Sequence, residues 1–264
     1  MLPRHLQTHL QTLLSHFPCV VLTGVRQCGK TTLLGSLPGK WQHFDMENSA
    51  DRQQVLADPD VFLRLHSQEL VIDEAQLAPP LFSALRVAID RDRSKKGRFL
   101  LAGSSSPELT RHMSESLAGR VARVELSPLS LAEAWQLPAS PFYRLMTQQT
   151  PPPDILAAAA ARLTVQQVHD YWFAGGYPEP WLSNSEEFRG LWARHYIDSY
   201  LLRDIGALFP NLNRDRFRQF VRAMSALLRM LPECWLSRVT NCRNRSRFRL
   251  GNKAPISRSR YESM

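Results

Sequence analysis

The chain has 264 residues, of which 44% are hydrophobic, and its formal net charge is +9. This length allows one large domain or two smaller ones, and this apolar content is ordinary for a globular protein. No run approaches the roughly 20 apolar residues that span a bilayer, and the N-terminus lacks the apolar segment of a signal peptide. We therefore expect a cytoplasmic protein that does not enter a membrane. The four cysteines show no metal-ligand spacing, so we expect reduced thiols.

The first part of the chain predicts a helix, a buried strand and a loop that leads into a second helix. Leucines spaced by three and four over residues 2–17 predict an amphipathic helix, and the apolar run 19–23 predicts the strand. Residues Gly24 to Thr31 read GVRQCGKT, which fits G-x-x-x-x-G-K-[ST], the Walker A motif or P-loop. Thr32 to Leu34 then start the next helix. The alternative is a chance glycine turn before a helix.

In this strand–loop–helix context the motif predicts a site for nucleotide phosphates. Gly24 and Gly29 permit conformations closed to other residues, so successive N–H groups can converge on phosphate oxygens. The N-terminus of the next helix presents its free N–H groups to the same anion. Lys30 is placed to reach the β- and γ-phosphates, and the Thr31 hydroxyl to bind Mg²⁺. The predicted phosphate-binding residues are Gly24, Val25, Arg26, Gln27, Cys28, Gly29, Lys30, Thr31 and Thr32.

Two residues inside the loop carry additional predictions. Arg26 either adds positive charge at the phosphates or points outward. Cys28 is predicted to be sensitive to oxidation, because nearby cations and N–H groups lower the pKa of a thiol.

From residue 41 to residue 126, predicted strands alternate with predicted helices. The strands are predicted at 41–45, 70–72, 99–102 and 121–126, and the helices at 49–56, 61–65 and from Pro79 to Ile89. The strands at 19–23, 70–72 and 99–102 are apolar throughout, which is typical of parallel strands covered on both faces. We therefore predict an α/β fold of the P-loop NTPase type, with a parallel sheet flanked by helices.

The strand at 70–72 ends in two acids, Asp73 and Glu74, which is the Walker B pattern. Asp73 follows a buried strand at the edge where open α/β sheets bind ligands, and there it can hold Mg²⁺ through water. Glu74 is placed to polarise the water that attacks the γ-phosphate. The alternative is a strand end followed by an acidic helix cap.

Two further residues are candidates for the hydrolytic step. Ser104 follows the strand at 99–102 and could hydrogen-bond the γ-phosphate or orient the water, or it could belong to a plain N-cap turn. Arg120 precedes the strand at 121–126 and could stabilise charge on the γ-phosphate, in cis or from a neighbouring subunit. Its alternative is a solvated or carboxylate-paired arginine.

Together these motifs resemble those of prokaryotic AAA-type ATPases of the AAA_14 / DUF4143 group. Beyond the GVRQCGKTTL loop, the matching pieces are DP at 58–59, IDEAQ at 72–76, PPLF at 79–82, AGSS at 102–105, LAGR at 117–120, ELSPL at 125–129, GGYPE at 175–179 and YLLRDI at 200–205. The resemblance implies ATP binding, and ATP hydrolysis with Mg²⁺. It also implies adenine preference and a role for Ser104 that is called sensor 1 in these ATPases.

Past Leu126 the strand signals stop. Helices are predicted at 128–135, after Asp154, and at 165–173, 186–209 and 214–231. We therefore predict a P-loop ATPase core at 1–127, a helical lid or extension at 128–230 and a basic tail at 231–264.

The predicted tail departs from the resemblance, because the family usually continues with a winged-helix-like segment and a DUF4143 domain. Residues 231–264 are dense in Arg, Ser and Asn and carry a net charge of +6, so the rest of the chain is only mildly basic. We expect the tail to be poorly ordered and to result from a frameshift or truncation. The alternative is a basic arm that touches nucleic-acid phosphates.

The leading interpretation is an ATPase with ATP and Mg²⁺ as its ligands, and Arg120 is the candidate residue for self-association. The alternatives are a nucleotide-regulated nucleic-acid-binding module and a degenerate remnant that lacks the family's C-terminal domain. A small-molecule kinase is disfavoured because no lid arginine pair is recognisable. A guanine-specific enzyme is disfavoured because no N-K-x-D motif follows the fourth strand.

Overall fold

The computed structural model describes residues 2–104, 107–141, 145, 154, 163–183, 185–200, 205, 209 and 211–224. The chain divides into two units, Met1–Trp192 and Ala193–Met264. In the described part of the chain, no helix combines the length and the apolar character needed to cross a membrane.

Five parallel strands form the sheet of the first unit. They are β1 (Cys19–Gly24), β2 (Gln42–Asp45), β3 (Leu70–Asp73), β4 (Phe99–Ser104) and β5 (Val121–Leu126), and they lie in the order β2-β3-β4-β1-β5. Every neighbouring pair is parallel. The predicted parallel sheet is therefore confirmed, and its strands all end at one edge.

Two hydrophobic layers cover the faces of this sheet, because side chains alternate along each strand. Cys19 and Val21 of β1 pack into one layer, whereas Val20 and Leu22 pack into the other. All four are fully buried. This two-sided burial explains why the central strands are continuously apolar in sequence.

Helices lie on both faces of the sheet. They are α1 (Leu6–His16), α2 (Lys30–Leu34), α3 (Ser49–Ala57), α4 (Pro59–Leu65), α5 (Pro80–Arg91), α6 (Pro107–Ser116) and α7 (Leu131–Ala134), with a short 3₁₀ helix at Ala75–Leu77. Leucines of α1 and α2 join the layer of Val20 and Leu22, and apolar residues of α3 to α6 join the other. The Asn48 and Asp58 side chains cap α3 and α4 by accepting backbone N–H groups.

Three further helices belong to the predicted extension: α8 (Val165–Ala174), α9 (Pro178–Leu182) and α10 (Glu186–Tyr200). Residues 214–224 are also helical. The Tyr171 hydroxyl donates to the Leu129 carbonyl at 2.6 Å, and the Trp181 indole donates to the Ala134 carbonyl at 3.0 Å. These bonds fasten α8 and α9 to the segment that follows β5.

Some sequence predictions fall partly outside the described residues. The Ala-rich helix predicted after Asp154 and the tail at 231–264 lie outside them. The helices predicted at 186–209 and 214–231 are described without a break only as far as residues 200 and 224. The helix predicted at 128–135 is shorter than expected, since α7 begins only after its cap at Ser130.

Leu101, fully buried in β4, gives a test of the core. Leu101→Ala should lower the free energy of unfolding by about 3 kcal/mol, because it leaves a cavity in the middle of the sheet. Leu65, which is 74% exposed, is the matched control, and Leu65→Ala should change stability by less than about 0.5 kcal/mol. Urea unfolding measures the free energy of unfolding of both variants. Equal losses of stability in the two variants would contradict the burial of Leu101 in the core.

Candidate nucleotide site

The loop at residues 24–31 connects the end of β1 to the start of α2, and two glycines shape it. A Cβ added at Gly24 would lie 2.4 Å from the carbonyl oxygen of Leu126 in β5, so the main chains of the two segments are in direct contact. Gly29 has a φ of +97°. Such an angle is disfavoured for residues with a Cβ. The two glycines of the motif therefore serve different purposes, close approach at Gly24 and backbone conformation at Gly29.

Lys30 places its ammonium group inside the curve of the loop. The residue is 6% exposed, and its Nζ donates to the carbonyl oxygens of Gly24 and Val25, both at 3.1 Å. The positive charge therefore lies beside the turn of backbone where the sequence predicts phosphates.

Thr31 and Asp73, which were predicted from separate motifs, are in contact. The Thr31 hydroxyl donates to Oδ2 of Asp73 at 2.6 Å, although the residues are 42 positions apart in sequence. β3 and β1 both pair with β4, which brings the end of β3 beside the loop. A hydroxyl and a carboxylate at this spacing form an oxygen-rich pair suited to a hard cation.

Glu74 follows Asp73 in an unusual backbone conformation. Its φ is +49°, in the left-handed region, which costs a residue other than glycine of the order of 1–3 kcal/mol. Its backbone N–H donates to Oδ1 of Asp73 at 3.0 Å, and its Oε2 accepts a hydrogen bond from Nε2 of Gln76 at 2.5 Å. The turn therefore separates the two acids, so that Asp73 contacts Thr31 while Glu74 contacts Gln76.

Ser104 is the last residue of β4 and lies opposite Gly24 in the register of the sheet. The sheet therefore brings it next to the start of the loop, at the same edge as Asp73. Arg26 and Val25 of the loop are half-buried, whereas Gln27 and Thr32 are exposed.

Arg120 lies at the amino ends of the strands, opposite the carboxyl ends where the loop lies. This position corrects the prediction that Arg120 could act on a γ-phosphate bound by its own chain. It precedes β5, whose six residues separate its two ends by about 20 Å. Its guanidinium forms two hydrogen bonds with the carboxylate of Asp90, at 2.9 and 2.7 Å. Hydrogen bonds from Arg120 and then Arg93 hold the pKa of Asp90 well below its usual range. Arg120 is thus carboxylate-paired and cannot reach this chain's own loop.

The prediction for the Cys28 thiol is wrong. Cys28 is fully buried, and burial raises the pKa of its thiol by more than the nearby charges of Lys30 and Arg4 lower it. A buried thiol that keeps its proton is a poor nucleophile, so the structure gives no reason for oxidation sensitivity.

Arg4 binds the loop from outside, and sequence reasoning missed it. Its guanidinium donates to the carbonyls of Cys28 at 2.8 Å and Ser127 at 2.5 Å, and to the carboxylate of Glu133 at 3.2 Å. The Arg4 and Glu133 side chains are 8% and 6% exposed. One buried cation therefore ties the loop to the end of β5 and to α7.

Glu133 completes this arrangement by accepting hydrogen bonds from the backbone N–H groups of His5 and Ser130, at 2.7 and 2.8 Å. Burial raises the pKa of Glu133, but these amides and Arg4 lower it by more, so the net shift is downward. The sequence contains a signal for half of this cluster, because Ser130-Leu-Ala-Glu133 fits a capping box, which the structure contains. Nothing in the sequence connects that box to Arg4.

Comparison with protein families gives two matches along the chain. Residues 16–135 match AAA_14, described as an AAA domain, and residues 165–241 match DUF8612, a domain of unknown function. The first match contains both predicted motifs. Over these residues the chain is therefore similar to AAA domains. The second match begins with α8 and continues past residue 231, where the sequence predicted a tail.

The chain spans about 40% of the length of the curated relatives that it matches. It is 39% identical over 208 residues to the uncharacterized proteins Mb2031c of Mycobacterium bovis and Rv2008c of Mycobacterium tuberculosis. The aligned region covers 78% of this chain and 40% of each relative.

Two solved structures resemble this chain distantly. They are the Walker-type ATPase PABY2304 of Pyrococcus abyssi, at 16% identity and a TM-score of 0.40, and the STAND protein PH0952 of Pyrococcus horikoshii, which has a tetratricopeptide repeat sensor, at 13% identity and a TM-score of 0.41. The alignments cover 93% and 76% of this chain, and 77% and 34% of those chains.

The buried pair of Arg4 and Glu133 gives a test that depends on pH. Glu133→Gln should lower the free energy of unfolding by about 3 kcal/mol at pH 7, because it leaves the buried guanidinium without a charged partner. The pKa of Glu133 is lowered on folding, so its contribution is complete above the ordinary value of 4.5 and is lost as pH falls through the folded pKa. The difference between wild type and variant should therefore shrink on acidification, as measured by urea unfolding from pH 7 to pH 3.

The same substitution at the exposed Glu115 is the matched control and should change stability little at any pH. A difference between wild type and Glu133→Gln that grew on acidification would contradict the role of the ionised carboxylate.

Proposed function

We propose that this protein binds ATP with Mg²⁺ and hydrolyses it to ADP and phosphate, at the site formed by the loop at 24–31 and the carboxyl end of β3. The observation that carries the proposal is the 2.6 Å contact between the Thr31 hydroxyl and the Asp73 carboxylate. This contact joins the two motifs that such a reaction requires. Neither motif, taken alone, predicts that the two side chains meet.

Thr31 and Asp73 would hold the metal. Mg²⁺ prefers oxygen ligands and is usually bound by one or two protein groups together with water and substrate phosphates. A hydroxyl and a carboxylate that already lie together match this small donor set. When bound, Mg²⁺ would neutralise negative charge on the phosphates.

The loop would hold the phosphates. Backbone N–H groups of residues 24–31 and the N-terminus of α2 are suitable donors to an anion, and Lys30 adds a full positive charge beside them. The ammonium of Lys30, which donates to two loop carbonyls, is near enough to exchange these acceptors for phosphate oxygens. This arrangement supports binding of a di- or triphosphate.

Glu74 would act as the general base. As the oxygen of a water molecule bonds to the γ-phosphorus, the Glu74 carboxylate takes a proton from that water and the bond to the ADP oxygen breaks. Ser104, beside Gly24 at the same sheet edge, would hydrogen-bond the γ-phosphate or orient the water. Arg120 could contribute only from a second copy of the chain, and the proposed reaction does not require it.

An apolar cavity of about 240 Å³ beside the loop would receive the nucleoside. It is lined by Leu2, Pro3, Arg4, Gln7, Gly29, Thr32, Leu33, Ser36, Leu129, Pro178 and Leu182. Since Leu129, Pro178 and Leu182 follow the core in sequence, their position supports the proposal that the extension predicted at 128–230 acts as a lid.

Lys30→Ala tests nucleotide binding. Loss of the charge-assisted contacts should weaken the affinity for a fluorescent ATP analogue by about 100-fold, equivalent to about 3 kcal/mol. Lys40→Ala, which removes an exposed lysine, is the control and should bind like wild type. Equal affinity for Lys30→Ala and wild type in a fluorescence titration would remove the loop from its proposed role.

Glu74→Gln separates binding from hydrolysis. It should reduce kcat by about 10²- to 10³-fold because the general base is lost, while the affinity for ATP stays within about threefold. Phosphate release measured with Mg²⁺, and with EDTA in place of Mg²⁺, also tests the metal, and wild type should be inactive in EDTA. Glu115→Gln is the control and should hydrolyse ATP like wild type. If Glu74→Gln hydrolysed ATP at the wild-type rate, Glu74 would not be the general base.

A further inference from the structure

The turn after Asp73 holds the Glu74 carboxylate through the side chain of Gln76. Nε2 of Gln76 donates to Oε2 of Glu74 at 2.5 Å, two residues away in the 3₁₀ helix. The other oxygen of Glu74 takes no part in this bond. The carboxylate is therefore oriented by one of its oxygens and keeps the second for another partner.

The other end of the Gln76 amide is buried without a hydrogen bond. Its Oε1 is inaccessible to solvent and has no partner. Exchanging the positions of Nε2 and Oε1 by a 180° rotation of the amide would not help, because the amide oxygen would then face the negatively charged Glu74 carboxylate. A buried acceptor without a donor lowers the stability of the fold. The Gln76 side chain therefore makes its hydrogen bond to Glu74 in a position that is unfavourable for its own oxygen.

Gly103 makes room for this amide. A Cβ at position 103 would lie 2.3 Å from Oε1 of Gln76. Gly103 immediately precedes Ser104, and Thr23 and Gly24 lie opposite these two residues in the register of β1 and β4. Gln76 thus lies between the proposed base and the strand end that carries Ser104.

We propose that Gln76 is a positioning residue for hydrolysis, which fixes the Glu74 carboxylate toward the attacking water, and that position 103 is glycine so that the Gln76 amide fits. The proposal rests on the proposed function, since Glu74 must be the base. Gln76 makes no described contact with the loop at 24–31, so its effect belongs to turnover and not to nucleotide affinity.

Gln76→Ala tests the proposal. It should reduce kcat for ATP hydrolysis by about 10- to 100-fold, the range seen when a group that orients a reactive ligand is removed, and leave KM within about threefold. The melting temperature should stay within about 2 °C of wild type. The variant loses one stabilising hydrogen bond, but it also loses a buried acceptor that lowers stability, and the two effects offset each other. A merely structural glutamine would give the opposite result, with a lower melting temperature and unchanged kcat.

Gln166→Ala is the matched control. Gln166 also donates from Nε2 to a carboxylate, that of Asp170 at 2.8 Å, and both residues are exposed on α8. The Gln166→Ala variant should therefore keep the wild-type kcat. Gly103→Ala is a second, independent variant, which keeps Gln76 but displaces its amide, and it should reproduce the kcat loss of Gln76→Ala.

A double variant decides whether Gln76 acts through Glu74. In the Glu74→Gln background, Gln76→Ala should cause no further loss of kcat, because the group that it orients is already inactive. Unchanged kcat in Gln76→Ala, or losses that multiply in the double variant, would overturn the proposal. If Glu74→Gln itself hydrolyses ATP at the wild-type rate, the proposed function fails first, and the two failures are thus distinguished.

Discussion

The hydrogen bond between Thr31 and Asp73 depends on the register of three strands. β3 and β1 do not pair with each other, and β4 lies between them, so the two residues meet only because both strands align with β4. A slip of one residue in β3 would turn Asp73 to the other face of the sheet. Burial of both sheet faces opposes such a slip, because every apolar side chain of the strand would change layers. The hydrophobic layers thus set the geometry of the polar site.

The cluster around Arg4 connects the same site to distant parts of the chain. A buried ion pair often contributes little net stability, since desolvation of two charges offsets their attraction. Here the guanidinium also satisfies carbonyls of the loop and of the residue after β5, and the carboxylate satisfies two backbone amides. All of these partners must be in place for the charges to be buried. The cluster therefore fixes the relative positions of the N-terminal segment, the loop and α7.

Much of the fold could be predicted from local patterns. The P-loop motif, the apolar strands and the acidic strand end depend on neighbouring residues, and the parallel sheet follows from continuous burial. Helix α6 was not predicted, although Leu109 and Met113 have helical spacing. The thiol of Cys28 was misjudged because the sequence shows nearby charges but does not show burial.

Contacts between distant segments could not be predicted in the same way. Arg4 and Glu133 are 129 positions apart and neither belongs to a recognised motif. The position of Arg120 also required the sheet, since the residue looked close to the site in sequence but precedes its strand instead of following it. The roles assigned to Lys30, Asp73, Glu74 and Ser104 stay proposals.

The packing of Gly24 against Leu126 has a consequence for how this loop can vary. The contact joins main chain to main chain, so it does not depend on which side chains stand at 25–27. Substitutions at those three positions can therefore leave this one contact in place. Position 24 has no such freedom, since even a single methyl group would push the two segments apart. Natural diversity within the loop should therefore be uneven and lowest at position 24.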